Sequence, residues 1–330
     1  MIIEWHTHVY PPEEAAADAL AWDGASGPAW AGKCPMTLEN VLDAHRKAGV
    51  AISVITNAAH YLRGKSETDE LKAVKRWTDY ATEIQNQHKG MLYGFATILP
   101  CGGKEQIKEA ERAIRELGLK GIMIHSNHKG HYPDDDEARP FWELVQDLDV
   151  PVFIHPPHVG FGEERVKEYR LASSVGRPAD LCLALARLIV RGILEDFPRL
   201  KLVSSHGGGG ICEVIGRMNY AYELQDECYF LGPYAPMKIK HEPGHYLKKI
   251  HLDTATYHLP ATKMVLETVG ADHVLYGSDA PPLTSLKPRA IKLVENLNVS
   301  EETREKIFWR NAARLLKLDL PNASAKPRSN

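Results

Sequence analysis

The stretch Glu4-Trp5-His6-Thr7-His8 closes a short apolar run that begins at Met1 and sets two imidazoles two residues apart. On a β-strand successive side chains alternate between faces, so His6 and His8 point the same way with Cα atoms about 6.5 Å apart. Imidazoles at that separation can share one metal ion. The pattern alone also suits two exposed polar residues near a terminus, and it gains meaning from later apolar runs that end in similar groups. His125, His155 and His206 end three such runs, and Asp253 and Asp279 end two more. Gathered at one place, these five histidines and two aspartates would be costly to desolvate without a shared ion or mutual hydrogen bonds.

Imidazole nitrogens with one carboxylate are a ligand set for zinc or a similar divalent ion, and a catalytic site of this kind keeps a position open for water or substrate. His6, His8, His155 and Asp279 form that set here. The ion would lower the pKa of a bound water or polarise a substrate oxygen, with His206 beside it as general acid/base. Asp253 and Thr254 are expected to orient a ligand or His206.

These residues need elements that bring them together. The runs 50–55, 92–98, 120–125, 152–155, 200–206, 250–254 and 274–279 follow the first as short, mostly non-alternating apolar strands. Helical periodicity separates them: Leu38 to His45 behind Thr37 as N-cap and before Gly49, then 67–90, 104–117, 141–148, 181–194, 211–227 and 262–269. Two further helices, 288–296 and 301–317, close the pattern. Apolar strands imply a parallel sheet buried on both faces, and eight βα units predict a (β/α)8 TIM barrel with its active site at the carboxyl ends of the strands. No G-x-G-x-x-G follows the first strand and no phosphate-binding G-x-x-x-x-G-K-S/T occurs, which argues against a doubly wound nucleotide fold. Gly207 to Gly210 can cradle an anion or let the backbone approach a crowded site, and the second is favoured.

Residues 1–318 are expected to form a single metal-dependent barrel domain and 319–330 a flexible tail. The stretch 10–36, with Pro11-Pro12, Trp22 and Trp30, is expected to be an irregular lid-like loop inserted after strand one. The chain has 330 residues, 44% of them apolar and 25% charged, with a net charge of -3 and a pI near 6.6. This composition gives no electrostatic case for nucleic acid or an anionic membrane. Cys34, Cys101, Cys182, Cys212 and Cys228 are scattered and odd in number, which points to reduced thiols in the cytoplasm. No leader pattern is present, and no stretch approaches the roughly 18 apolar residues of a membrane span.

His6-Thr7-His8 with Tyr10-Pro11-Pro12, Phe153-Ile154-His155-Pro156, Leu202 to Gly209 and Tyr276-Gly277-Ser278-Asp279-Ala280-Pro281 together resemble the amidohydrolase superfamily. The closer resemblance is to its branch of aminocarboxymuconate-semialdehyde and gamma-resorcylate decarboxylases, and it runs from Met1 to about Leu318. It implies metal on His6, His8, His155 and Asp279, and His206 as the catalytic histidine. Members of this branch commonly carry aspartate where this chain has Glu4, which shares a strand face with His6. Binuclear relatives use a modified lysine where His125 stands, so one metal is expected, with His125 contacting substrate.

The activity so implied is non-oxidative decarboxylation of an aromatic or unsaturated carboxylic acid, with Asp279 or His206 protonating the ring carbon. Zinc is the first candidate ion and manganese or magnesium the alternatives. An anionic substrate also calls for a cation, and Arg63, Arg170 and Arg177 lie in loops after strands two and five; Trp22 and His158 are further candidates for its walls. A lactone or C–C hydrolase using metal-activated water is the alternative activity, and a non-catalytic metal-binding barrel the third reading. The partner is expected to be a small carboxylate, and the assembly a homodimer or tetramer.

Overall fold

Strand sequences such as GIMIH and PVFIH carry apolar side chains at consecutive positions and are stable only where both faces are covered. The computed structural model describes residues 1–21, 34–57, 62, 64–157, 162–227 and 235–320. Its strands are β1 (Ile3–His8), β2 (Ile52–Thr56), β3 (Leu92–Thr97), β4 (Gly121–His125), β5 (Pro151–His155), β6 (Lys201–Ser204), β7 (His251–Asp253) and β8 (Val274–Leu275). They form one eight-stranded sheet in sequence order, each paired parallel to the next. The backbone N–H of Trp5 donates to Tyr276 O at 2.9 Å and that of Asp279 to His6 O at 3.1 Å, which brings the last strand round to the first. The architecture is the expected (β/α)8 barrel.

The helices between strands are α1 (Pro12–Ala21), α2 (Leu38–Ala48), α3 (Glu67–Gln87), α4 (Gly103–Glu111), α5 (Arg139–Leu148), α6 (Arg177–Val190), α7 (Ile193–Asp196), α8 (Ile211–Glu223), α9 (Pro243–Leu247) and α10 (Leu259–Val269). After β8 come α11 (Leu286–Glu295), α12 (Glu301–Glu305) and α13 (Asn311–Leu315). Thr37 caps α2 through its hydroxyl, and Gly49 ends it at a φ of 69°. The helix expected over 181–194 begins four residues earlier and breaks at Gly192, whose φ is 75°. Inside the barrel the Phe95 ring lies where a β-carbon on Gly121 would sit 2.4 Å away, so the small residue makes room for the large one. Asn311 donates to the carbonyls of Ala271 and Val274 at 2.8 and 2.9 Å, pinning the C-terminal helices to β8.

The segment after β1 departs from the expected irregular loop, because residues Pro12 to Ala21 are helical. Proline fits the first helical position, acidic Glu13 and Glu14 complement the helix N-terminus, and the following alanines have the highest helix propensity. Glu13 pairs with Arg76 of α3, and Glu14 lies 3.9 Å from Lys65, tying the insertion to the barrel wall. Trp22 and Trp30 lie outside the described residues, as do Cys228 and 321–330. Cys34, Cys101, Cys182 and Cys212 are free thiols. Among the described residues no helix is long and apolar enough to cross a membrane.

Candidate active site

Alternation along β1 aims His6 and His8 into the barrel mouth, where their rings sit edge to face with centroids 5.1 Å apart. The His155 ring, from the end of β5, lies 5.0 Å from that of His6 and 4.7 Å from that of His8. Asp279, four residues beyond β8, brings Oδ1 to 3.2 Å from His6 Nε2 and 3.1 Å from His8 Nε2. One ligand atom from each of His6, His8, His155 and Asp279 falls within a 4.8 Å group.

The hydrogen bonds on the far side of each ring decide what faces inward. His8 Nδ1 lies 2.8 Å from the carbonyl of Asn57, and His155 Nδ1 lies 2.8 Å from that of Pro156, so both must donate there. Their Nε2 atoms are then bare lone pairs, and burial pushes both groups below the ordinary imidazole range, which keeps them neutral. His6 Nδ1 donates to Asp253 Oδ2 at 2.7 Å. Burial opposes charging of His6, but Asp279 and Asp253 outweigh it and raise the group to about 10. Burial likewise opposes ionisation of Asp279, and His6, His8 and His206 nevertheless hold it well below the carboxylate range. Without an ion the proton on His6 balances Asp279; a divalent ion in its place would take the lone pairs of the rings together with the carboxylate. The buried Nε2 of His155 has no hydrogen-bond partner among the described residues, and the Nε2 atoms of His6 and His8 face one oxygen of Asp279, so the donor set fits a divalent ion.

The His206 ring lies 5.1 Å from that of His6 and 5.7 Å from that of His155. Its Nδ1 reaches Ala255 O at 3.4 Å, and its Nε2 stands 4.0 Å from Asp279 Oδ2. Burial lowers its pKa from the ordinary value. It opens one turn of left-handed backbone, with φ of 51° at His206 and 58°, 77°, 66° and 101° at Gly207 to Gly210. A β-carbon on Gly209 would meet the Pro178 carbonyl oxygen at 2.1 Å. The glycine run therefore serves close backbone approach, as favoured from the sequence.

A family model described as amidohydrolase matches residues 3–318. The chain belongs to this family. It is 32% identical over 257 residues to the 2-amino-3-carboxymuconate-6-semialdehyde decarboxylase of Dictyostelium discoideum, covering 77% of this chain and 68% of that one. To the 6-methylsalicylic acid decarboxylase of Penicillium expansum it is 26% identical over 312 residues, 92% of this chain and 93% of the other. Among solved structures, a dihydroxybenzoic acid decarboxylase from Polaromonas with bound manganese and the inhibitor 2-nitroresorcinol superposes with a TM-score of 0.80. It shares 21% identity over 97% of both chains, which speaks for the fold.

Within this amidohydrolase mouth the remaining expected residues divide. Asp253 touches His6, and its Oδ1 accepts the backbone N–H of Gly207 at 3.1 Å and of Ala255 at 3.0 Å, tying the His206 turn to the same carboxylate. The Thr254 hydroxyl accepts the backbone N–H of Gly277 at 3.2 Å and donates to its carbonyl at 3.3 Å. Glu4 lies beneath the site, where it accepts from Ser278 N at 2.7 Å, Ser278 Oγ at 2.8 Å and Lys287 Nζ at 2.9 Å. His125 is the register partner of His155 and is 4% exposed, and burial pushes it down to about 3. Arg177 is largely buried, which lowers its pKa, and it feels the charges of Asp279 and Tyr10. Arg170 is exposed. Arg63, His158 and Trp22 lie outside the described residues.

Sequence reasoning missed Tyr257, whose hydroxyl donates to Asp279 Oδ2 at 3.3 Å and Ser278 O at 3.2 Å. It sits at a φ of 56° in the turn after β7, four residues past Asp253, where no periodicity marks it.

Proposed function

We propose that this chain is a metal-dependent, non-oxidative decarboxylase of an aromatic or unsaturated carboxylic acid. The observation that carries this reading is the convergence of bare His8 and His155 nitrogens on Asp279, with His206 Nε2 4.0 Å from the same carboxylate. Similarity to two curated decarboxylases along most of the chain supports it. His6, His8, His155 and Asp279 would hold one divalent ion. Three imidazoles make zinc our first assignment, ahead of manganese, which the dihydroxybenzoic acid decarboxylase of like fold binds, and magnesium. Such an ion would supply a fixed positive charge that favours binding of an anionic substrate and draws electron density from the reacting carbon.

The protein's own groups move the proton. His206 points its Nδ1 at a carbonyl and must donate there, so Nε2 is the basic nitrogen that takes up a proton from solvent and, once protonated, presents it toward the mouth. His206 or Asp279 delivers that proton to the carbon bearing the carboxylate, forming a C–H bond. The bond to the carboxylate then breaks, its electron pair returns to the unsaturated system, and carbon dioxide leaves. Asp253 fixes the His6 ring and the His206 turn together, and Tyr257 holds one oxygen of Asp279. Arg177, beside Tyr10, is our assignment for steadying the anionic substrate, with His125, Arg63, His158 and Trp22 as further contacts.

We assign catalysis to one domain of residues 1–318, a homo-oligomer in the cytoplasm; the free thiols agree with that compartment. The test is incubation of metal-loaded protein with hydroxybenzoates and muconate semialdehydes in deuterated water and, in parallel, in water enriched in oxygen-18. Carbon dioxide release with deuterium at the former carboxyl carbon is the expected result. Oxygen-18 from water in an acid product, without carbon dioxide, would instead make it a hydrolase.

A further inference from the structure

A cavity of about 570 Å³ lies between the loops after β3 and β4 and the start of α3, beside β4, which pairs with the strand that carries His155. That volume is in the range of small-molecule sites. His125 lines the cavity. The strand register sets His125 beside His155, so a substrate seated on the cluster reaches the cavity across a single strand spacing. His125 is 4% exposed, and neither ring nitrogen has a hydrogen-bond partner among the described residues. A buried imidazole in that condition forfeits hydrogen bonds worth recovering from a ligand.

The other charges on the wall say what kind of group it takes. Glu67, Glu70 and Glu105 line the cavity. Lys129 is already engaged, with Nζ 2.7 Å from Glu70 Oε1, and His128 Nε2 lies 2.9 Å from the same oxygen. His131 faces Asp135 at 3.4 Å. A second carboxylate on the substrate would meet acidic side chains whose nearby cations are spent. An uncharged hydroxyl matches better, because an imidazole offers one donor and one acceptor. Leu71, Leu99 and Pro100 supply apolar wall for the ring that carries it.

We infer that this cavity receives the end of the substrate opposite the departing carboxylate, and that His125 selects an uncharged polar substituent there over a second carboxylate. This rests on the reading of the mouth as a decarboxylase site and narrows its substrates to monocarboxylic acids with a distal hydroxyl.

The experiment measures binding of benzoate, 4-hydroxybenzoate and terephthalate to the metal-loaded protein by calorimetry. Wild type is expected to bind 4-hydroxybenzoate about tenfold tighter than benzoate, the worth of one well-made hydrogen bond, and terephthalate most weakly. In His125→Phe the two monocarboxylates become equal, while His125→Gln keeps part of the preference; metal stoichiometry and thermal unfolding report that both variants fold. A hydroxyl preference that survives in His125→Phe, or terephthalate binding as tightly as 4-hydroxybenzoate, overturns the assignment and leaves the decarboxylase reading standing. Failure of all three acids to bind the loaded protein takes down the reading of the mouth as a carboxylate site, and this inference with it.

Discussion

Asp253 Oδ2 accepts the Nδ1–H of His6 at 2.7 Å, and both side chains are fully buried. That bond fixes the His6 tautomer, leaving Nε2 as the nitrogen that faces Asp279. In Asp253→Asn the carbonyl oxygen can keep the backbone N–H groups of Gly207 and Ala255, but its amide then faces His6 Nδ1 as a donor. His6 would have to accept there and carry its proton on Nε2. Metal affinity is expected to fall by about 10- to 100-fold with the fold intact. Titration of the apo-protein with zinc or manganese against a competing chelator checks it, and unchanged affinity would remove Asp253 from the ion's support.

The same residue sets a pH dependence. Without an ion His6 holds its proton up to about 10, because Asp279 and Asp253 overcome the cost of burying the charge. Metal must displace that proton, so below this pKa apparent affinity is expected to rise with pH, by about tenfold per unit from pH 7 toward 10. The sign is that of proton competition: more acid, weaker binding. Chelator competition at several pH values measures the slope, and a flat profile would show that His6 is already neutral in the apo-protein.

Tyr257 Oη reaches Asp279 Oδ2 at 3.3 Å, the oxygen nearer His206, while Oδ1 faces His6 and His8. The tyrosine thereby divides the carboxylate into an oxygen for the ion and one for the proton path. Tyr257→Phe is expected to lower kcat by about tenfold or more, the value of a hydrogen bond to a charged acceptor, with metal content unchanged. Steady-state kinetics beside elemental analysis decides it; loss of metal together with activity would mean that the hydroxyl serves the ion site instead.

The barrel and the grouping of His6, His8, His155 and Asp279 are legible in the sequence for the same reason: regular strands translate spacing into direction, so a histidine ending an apolar run must appear at the mouth. What escaped reading depends on contacts between distant segments. Lys287 looks like an ordinary charged residue of α11, and only the fold brings it to Glu4, 283 positions away. Tyr257 occupies an irregular turn, where no periodicity reports its direction. The helix after β1 was obscured by Pro11-Pro12, which reads as a loop although proline at a first helical position starts one.

The left-handed turn after β6 leaves no space for a side chain at Gly209, where φ is 66° and a β-carbon would lie 2.1 Å from the Pro178 carbonyl oxygen. Gly209→Ala must either move α6 or unwind the turn that carries His206. A loss of about 1–3 kcal/mol in urea unfolding is expected. Activity should fall further than metal affinity, since the ligands come from other segments. A variant as stable and active as wild type would show that the turn is adaptable.

Glu4 and Lys287 form an ion pair with no solvent exposure, 2.9 Å apart, and Glu4 also holds both the backbone and the hydroxyl of Ser278, the residue before Asp279. Removing one charge strands the other: Glu4→Gln leaves a buried ammonium whose desolvation is uncompensated, and a loss of about 3–5 kcal/mol is expected. Lys287→Met leaves the opposite charge and should cost a similar amount. The double variant Glu4→Gln, Lys287→Met removes both charges and is expected to be more stable than either single one, because no ion is left unpaired. Its activity should still be reduced, since glutamine cannot accept from Ser278 N, Ser278 Oγ and a neighbour with the strength of a carboxylate, and Asp279 then loses its fixed approach. Chemical unfolding of the three variants measures the coupling. Additive losses in the double variant would mean that the two charges do not depend on each other, and full activity in it would detach Glu4 from the placing of Asp279.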